Sequence, residues 1–159
     1  MFILDKQRQQ DVAGAFKRYQ AYLDQNKTRF PKKAYALASS AWYFSSADHK
    51  CPHDAWLEDL RIFEPASGDR NQDREISIEI RLLAAYHDGV IKLSYPSVFG
   101  YELSSAHVIL GHCDWRYDEI RLAENGNIIH EIEWSGARDT ARWIIEANDI
   151  EFAWIPREL

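Results

Sequence analysis

The amino-acid sequence predicts an α+β fold in which two N-terminal helices precede a largely antiparallel β-meander of about seven to nine strands. Near the N-terminus apolar residues recur every three or four positions, which is the period of a helix with one buried face. Beyond about residue 55 they recur every second position, the period of a half-buried strand, and no helical pattern separates the strands. We therefore expect a single domain over residues 1–159, helical over 1–45 and an antiparallel sheet over 55–157.

The helical part is predicted from two stretches. The first helix begins near Asp11 and has one apolar stripe, made of Val12, Phe16, Tyr19 and Leu23. Pro31 suits the first turn of a second helix, which we expect to end near Trp42. Four basic residues lie around the turn between the helices, and we expect them to be solvent-exposed: Lys27, Arg29, Lys32 and Lys33.

The clearest predicted strand covers residues 76–82, where Ile and Leu alternate with Ser, Glu and Arg. Asp88-Gly89 follows, a pair that favours a tight hairpin because both residues tolerate a positive φ. The predicted return strand covers residues 90–95, and a further alternating set follows over 99–103. The polar stretch 65–73 predicts a loop.

Two more hairpins are predicted near the C-terminus. One turns at Asn125-Gly126 and the other at Asn148-Asp149, and the second would close the sheet. In the first of these hairpins His130 is in phase with Ile128 and Ile132, so we expect a buried histidine with hydrogen-bond partners. Glu131 and Glu133 alternate with these residues and are predicted to lie on a solvated face.

Composition excludes several classes of protein. Hydrophobic residues make up 46% of the chain, which is typical of a globular protein rather than a disordered one. Two cysteines cannot form a disulfide scaffold, and no apolar run approaches the length of a membrane span, so we expect a soluble cytoplasmic protein without membrane contact. No glycine-rich phosphate loop and no Gly-x-Ser-x-Gly motif is present, which disfavours several enzyme classes.

The net charge of −6 is unevenly distributed along the chain. Residues 1–50 carry nine Lys or Arg against four Asp or Glu, whereas residues 51–159 carry ten against 21. A nucleic-acid-binding protein needs a concentrated basic surface, so this distribution argues against nucleic acid as a partner. An acidic sheet instead favours a basic protein partner.

Aromatic residues make up 13% of the chain, and one segment mixes them with charge as interfaces do. We predict that this segment is the contact surface; it consists of Trp115, Arg116, Tyr117, Asp118 and Glu119. The predicted function is thus a soluble, non-catalytic protein-binding module that engages a basic partner through an acidic, aromatic-bearing sheet face, as an immunity protein or inhibitor does. No cofactor is expected for such a module, and the sequence does not indicate an oligomeric state.

The alternative is a metal-binding or thiol-dependent enzyme. His49, Cys51 and His53 recur at every second residue and Asp54 follows, while a second cluster consists of His112, Cys113 and Asp114. These are ligand types that zinc accepts, although the usual Cys-x-x-Cys spacing is absent. Cys51 could also be a nucleophile activated by a neighbouring imidazole. A third interpretation is a small ligand bound inside a curved sheet lined by Trp and Tyr.

Overall fold

Two α-helices precede all of the β-strands in the computed structural model, which describes residues 1–105, 109–136 and 140–158. A 3₁₀ helix at Lys6–Gln10 leads into α1 (Val12–Asn26) and α2 (Lys32–Ala38). The strands then follow as β1 (Trp56–Phe63), β2 (Ala66–Ser67), β3 (Asp73–Arg74), β4 (Ile76–Leu83), β5 (Gly89–Leu103), β6 (Ile109–His112), β7 (Asp114–Leu122), β8 (Ile128–Ser135), β9 (Thr140–Ala147) and β10 (Glu151–Pro156). The predicted α+β class is confirmed. Within the described ranges, no helix is long and apolar enough to cross a membrane.

Seven strands form one antiparallel sheet in the order β10-β5-β4-β1-β7-β8-β9, and β2 pairs with β3 in a separate two-stranded ribbon. The ribbon lies in the stretch predicted as a loop. β9 also pairs with β5, so the sheet curls until its last strand meets an earlier one. β5 makes this possible because it is 15 residues long and extends through Pro96 without a break.

β9 and β10 do not form the predicted hairpin. They lie end to end along β5, with β10 opposite residues 89–94 and β9 opposite residues 98–103. The residues between the two strands do not form a hairpin turn but contact the N-terminal end of α2. Asp149 Oδ1 accepts the Ala34 N–H at 2.8 Å, at a helix end where Pro31 provides no side-chain cap. The predicted hairpin at Asn148-Asp149 is therefore wrong. Both strands pair with β5, and Asp149 caps a helix that is distant in sequence.

The β4–β5 hairpin is confirmed, but its turn chemistry differs from the prediction. The positive φ, 60°, belongs to His87 and not to Asp88 or Gly89. Gly89 is required for a different reason, since a Cβ at this position would lie 2.2 Å from the Trp154 ring. The β7–β8 hairpin is also confirmed. α2 ends at Ala38, earlier than predicted.

β1 and β7 share fewer paired residues than any other two neighbouring strands of the sheet. Their one pair is Trp56 and Asp114. Helix α1 supplies partners for the β7 backbone beyond this pair. The Tyr19 hydroxyl accepts the Ile120 N–H at 2.8 Å and donates to the Ile120 carbonyl at 2.9 Å. The Tyr22 hydroxyl accepts the Leu122 N–H at 2.8 Å. Tyrosine side chains thus take the place of a neighbouring strand along the edge of β7.

The first residues of the chain are held on the sheet by a buried carboxylate. Glu119 Oε2 accepts the backbone N–H groups of Phe2, Ile3 and Leu4 at 2.9, 2.8 and 3.2 Å. Arg142 adds a hydrogen bond to the Leu4 carbonyl at 3.0 Å. The N-terminal segment therefore covers the face of β7–β9 from which Glu119 projects. The opposite face packs on the main core, whose largest buried side chains include Trp115, Trp134, Trp143, Tyr95, Ile78, Ile80 and Leu82.

Replacing Tyr19 tests its role in the sheet. Tyr19→Phe leaves the Ile120 N–H and carbonyl unpaired in a buried position, so we expect the free energy of unfolding to fall by about 1–3 kcal/mol. Urea denaturation followed by circular dichroism measures this change. The matched control is Tyr35→Phe, which removes a half-buried hydroxyl from α2 and should change stability by less than about 0.5 kcal/mol. Equal effects of the two substitutions would contradict the proposed role.

Candidate functional site

A buried hydrogen-bonded network is centred on the Asp118 carboxylate. Oδ1 accepts the Trp115 Nε1–H at 2.9 Å, and Oδ2 accepts the Tyr43 hydroxyl and the His130 Nε2–H, each at 2.8 Å. The Tyr95 hydroxyl is hydrogen-bonded to His130 Nδ1 at 2.7 Å. All five side chains are at most 2% exposed. The prediction that His130 is a buried histidine with partners is confirmed.

The Asp118–His130 pair has the chemistry of a catalytic dyad, but its surroundings fit a structural role. The group on the far side of the imidazole is the Tyr95 hydroxyl, and burial together with the Asp118 charge raises the pKa of Tyr95 well above its ordinary value. Burial and the same charge raise the pKa of Tyr43. Both hydroxyls therefore stay protonated. The adjacent cavity, lined in part by Cys51 and Asp118, holds about 20 Å³, roughly one water molecule.

The segment predicted as the contact surface is mostly turned inward. Trp115 and Glu119 are fully buried, and Asp118 is 2% exposed. Arg116 is exposed, and Tyr117 is half-buried with the Arg8 guanidinium 4.4 Å from its ring centroid. A partner that meets this segment in its present conformation therefore contacts Arg116 and part of Tyr117. Binding of a partner at this segment stays a prediction. Because Asp118 and Glu119 are buried, the segment exposes less negative charge than the sequence indicates.

Glu131 and Glu133 do not lie on a solvated face, and this prediction is wrong. Each is 7% exposed. Arg142 pairs with Glu131 at 2.6 Å and with Glu133 at 3.1 Å. Three carboxylates and three guanidinium groups of the chain form this network, which balances in formal charge: Glu119, Glu131, Glu133, Arg8, Arg121 and Arg142. The charges of these three glutamates are therefore neutralised within the protein.

The side chains of the predicted His-Cys-His cluster diverge. His49 stacks on Tyr86 with ring centroids 4.1 Å apart and bonds to Asp88, whereas His53 bonds to the Arg116 carbonyl. The Cys51 thiol donates to the Tyr43 carbonyl at 3.0 Å. In the second cluster His112 packs against Trp134 and Trp143, Cys113 lies beside it and Asp114 bonds to Trp56. Among the described residues, no three His, Cys, Asp or Glu side chains are grouped as metal ligands. Zinc binding stays an untested alternative.

The two cysteines differ in accessibility. Cys51 is 3% exposed, and burial raises the pKa of its thiol to about 11, well away from the range in which a thiolate nucleophile operates. Cys113 is half-buried and lines an open groove. Cys51 has a free thiol. A thiol-dependent reaction centred on Cys51 is therefore disfavoured.

The groove lies where β1 meets the junction of β6 and β7. Its volume is about 660 Å³, within the range of ligand-binding clefts, and it is lined by Trp56, Leu57, Gly111, His112, Cys113, Asp114, Ser135 and Gly136. Positive φ values at Gly111 (75°) and Cys113 (59°) kink the chain between the two strands, which is where the groove opens. Three of these residues, His112, Cys113 and Asp114, are predicted from the sequence as possible metal ligands, but no sequence pattern predicts the groove.

Trp56 forms a fixed aromatic wall of the groove. It is 48% exposed, and its Nε1–H donates to Asp114 Oδ1 at 2.8 Å. The His87 ring contacts it edge-on at a centroid distance of 5.0 Å. A large exposed aromatic ring held in one orientation is suited to binding, because little conformational freedom is lost when it is covered.

No protein family, curated protein or solved structure matches this chain. Its function has to be inferred from the chemistry of its own side chains.

Changing the central carboxylate tests the buried network. Asp118→Asn replaces one acceptor oxygen with a donor that faces donors already in place, so we expect the free energy of unfolding to fall by about 2–3 kcal/mol. Urea denaturation gives the value. Asp114→Asn makes the same chemical change at the half-buried groove wall and should cost less than about 0.5 kcal/mol. A loss at Asp118 no larger than at Asp114 would show that the network does not stabilise the fold.

Alkylation kinetics test the difference between the thiols. At pH 8 iodoacetamide should modify Cys113 and leave Cys51 unmodified, because Cys51 is buried and its pKa is about 11. Peptide mass spectrometry identifies the modified residue, and denatured protein, in which both thiols should react, is the control. Modification of native Cys51 at the rate of Cys113 would contradict the buried position.

Proposed function

We propose that this protein is a non-catalytic binding module that engages a basic protein partner at the groove and at the surface around Trp56. The observation that carries the proposal is the half-exposed Trp56 ring, fixed by its hydrogen bond to Asp114. Tryptophan is enriched among the residues that dominate binding energy at protein interfaces. The proposal keeps the partner class predicted from the sequence and moves the contact surface away from residues 115–119.

The charge around Trp56 supports a basic partner. Asp54, Glu58 and Asp59 are exposed and lie within three residues of Trp56, and Asp114 is its partner across the strands. Of these four acids, Glu58 pairs with Arg157, and Asp54 lies 3.5 Å from the imidazole of His53. The carboxylates that lack an arginine partner can attract a positively charged protein and favour its association over that of neutral proteins. An immunity protein or inhibitor that blocks a basic enzyme uses charge in this way.

The non-catalytic assignment is supported by the positions of the reactive groups. The Asp118–His130 pair is fully enclosed, and Cys51 is buried with a raised pKa. The alternative, a thiol-dependent or metal-dependent enzyme, draws its support from His112 and Cys113, which both line the groove. The free thiol of Cys51 supports a cytoplasmic location for either function.

Affinity capture from the protein's native cells tests the proposal. We expect the wild-type chain to recover one stoichiometric partner rich in Lys and Arg, and Trp56→Ala to lose it. The control is Phe99→Ala, which removes a 64% exposed aromatic ring from β5. Circular dichroism confirms that both variants are folded. Absence of any stoichiometric partner, or recovery of the same partner by Trp56→Ala, would refute the function proposed here.

A further inference from the structure

We infer that the groove binds an arginine side chain of the partner, with the guanidinium stacked on the Trp56 ring and hydrogen-bonded to Asp114. This inference rests on the proposed function and names the chemical group that the groove recognises. It depends on the aromatic ring, on the carboxylate beside it and on the space in front of both.

The Trp56 ring is an open platform for a cation. Its Nε1 edge is bound to Asp114, and the residue as a whole is 48% exposed. A guanidinium over such a ring is attracted by the negative charge density of the aromatic face. Tryptophan has the strongest attraction of this kind among the aromatic side chains.

Asp114 supplies the counter-charge at the edge of this platform. Its Oδ1 is occupied by the indole N–H, and no hydrogen bond to Oδ2 is found within the described part of the chain. Asp114 is half-buried and lines the groove, so Oδ2 can receive one donor from a ligand. The negative charge also excludes anionic ligands from the groove.

The geometry favours arginine over lysine. A planar guanidinium stacked on the indole directs its N–H groups outward in its own plane, so it can reach a carboxylate oxygen at the edge of the ring without leaving the aromatic face, whereas an ammonium is a point charge that optimises one contact at a time. Part of the groove is lined by residues with a small side chain or none: Gly111, Ser135 and Gly136. The groove volume of about 660 Å³ leaves room for residues that flank the arginine. Two arginines of the chain itself, Arg61 and Arg157, are already engaged in ion pairs with Glu79 and Glu58.

The protein already contains this arrangement elsewhere. The Arg8 guanidinium lies 4.4 Å from the Tyr117 ring centroid, and its NH2 group pairs with Glu133 at 3.1 Å. An aromatic ring, a carboxylate and an arginine thus form one unit on the face of β7–β9. Trp56 and Asp114 present the first two components of the same unit to solvent.

Titration with short peptides tests the inference. The probes are acetyl-Gly-Ala-Arg-Ala-Gly-amide and its counterparts with citrulline or lysine in place of arginine. Binding is followed through the indole N–H resonance of Trp56 in ¹⁵N-correlated NMR spectra, assigned from its loss in Trp56→Phe. We expect the arginine peptide to shift this resonance saturably, with a Kd at least about tenfold lower than that of the citrulline peptide. The lysine peptide should bind several-fold more weakly than the arginine peptide.

Two variants make the test specific. Asp114→Asn keeps an acceptor for the Trp56 N–H but removes the charge, and should weaken the arginine peptide by about tenfold. Phe99→Ala, which changes an exposed residue that does not line the groove, should leave its Kd unchanged. Equal binding of the citrulline peptide, equal binding of the lysine peptide, or no shift of Trp56 at millimolar peptide would each overturn the inference.

The two proposals can fail separately. If the peptides do not bind while capture of a basic partner still depends on Trp56, arginine recognition is wrong and the binding function stands. If the arginine peptide binds in the groove and no partner protein is recovered, the groove recognises guanidinium and the protein-binding function is wrong.

Discussion

The buried carboxylate of Asp118 is the point on which the arrangement of helices and sheet depends. An ionised carboxylate away from water is costly unless donors surround it, and its three donors come from β7, β8 and the turn after α2. Tyr95 extends the network from β5 through His130. These donors meet only when the helical segment is seated against the curled sheet, so a misdocked helical segment would leave a buried charge unpaired.

Charge counted along a sequence is different from charge presented to a partner. Glu119, Glu131 and Glu133 account for much of the acidity of β7 and β8, yet each is buried beside arginines of the same chain. Arg8 and Arg142 also hydrogen-bond to the Ile3 and Leu4 carbonyls, so the ion pairs connect the N-terminal segment to the sheet. The acidic groups still available to a partner include Asp54, Asp59 and Asp114, around the exposed ring of Trp56.

The features predicted correctly are those fixed by neighbouring residues. The alternation of β4, the β7–β8 hairpin and the inward phase of His130 are local properties, and the structure has all three. The features missed depend on contacts between distant residues. Asp149 caps a helix 115 residues away, and Trp56 meets Asp114 across 58 residues, so no local pattern indicates the end-to-end course of β9 and β10 or the groove. The alternation of polar and apolar residues also does not show that both faces of β8 are buried, as Glu131 and Glu133 are.

The pairing of β5 with both C-terminal strands has a consequence for synthesis of the protein. β9 and β10 occupy the same edge of β5, and they leave the ribosome after the other strands of the sheet. Until they emerge, that edge of β5 exposes unpaired backbone groups next to buried residues such as Ile91 and Leu93. Such contacts between distant segments form slowly, so nascent chains that end before β9 are expected to be prone to aggregation and to need chaperones.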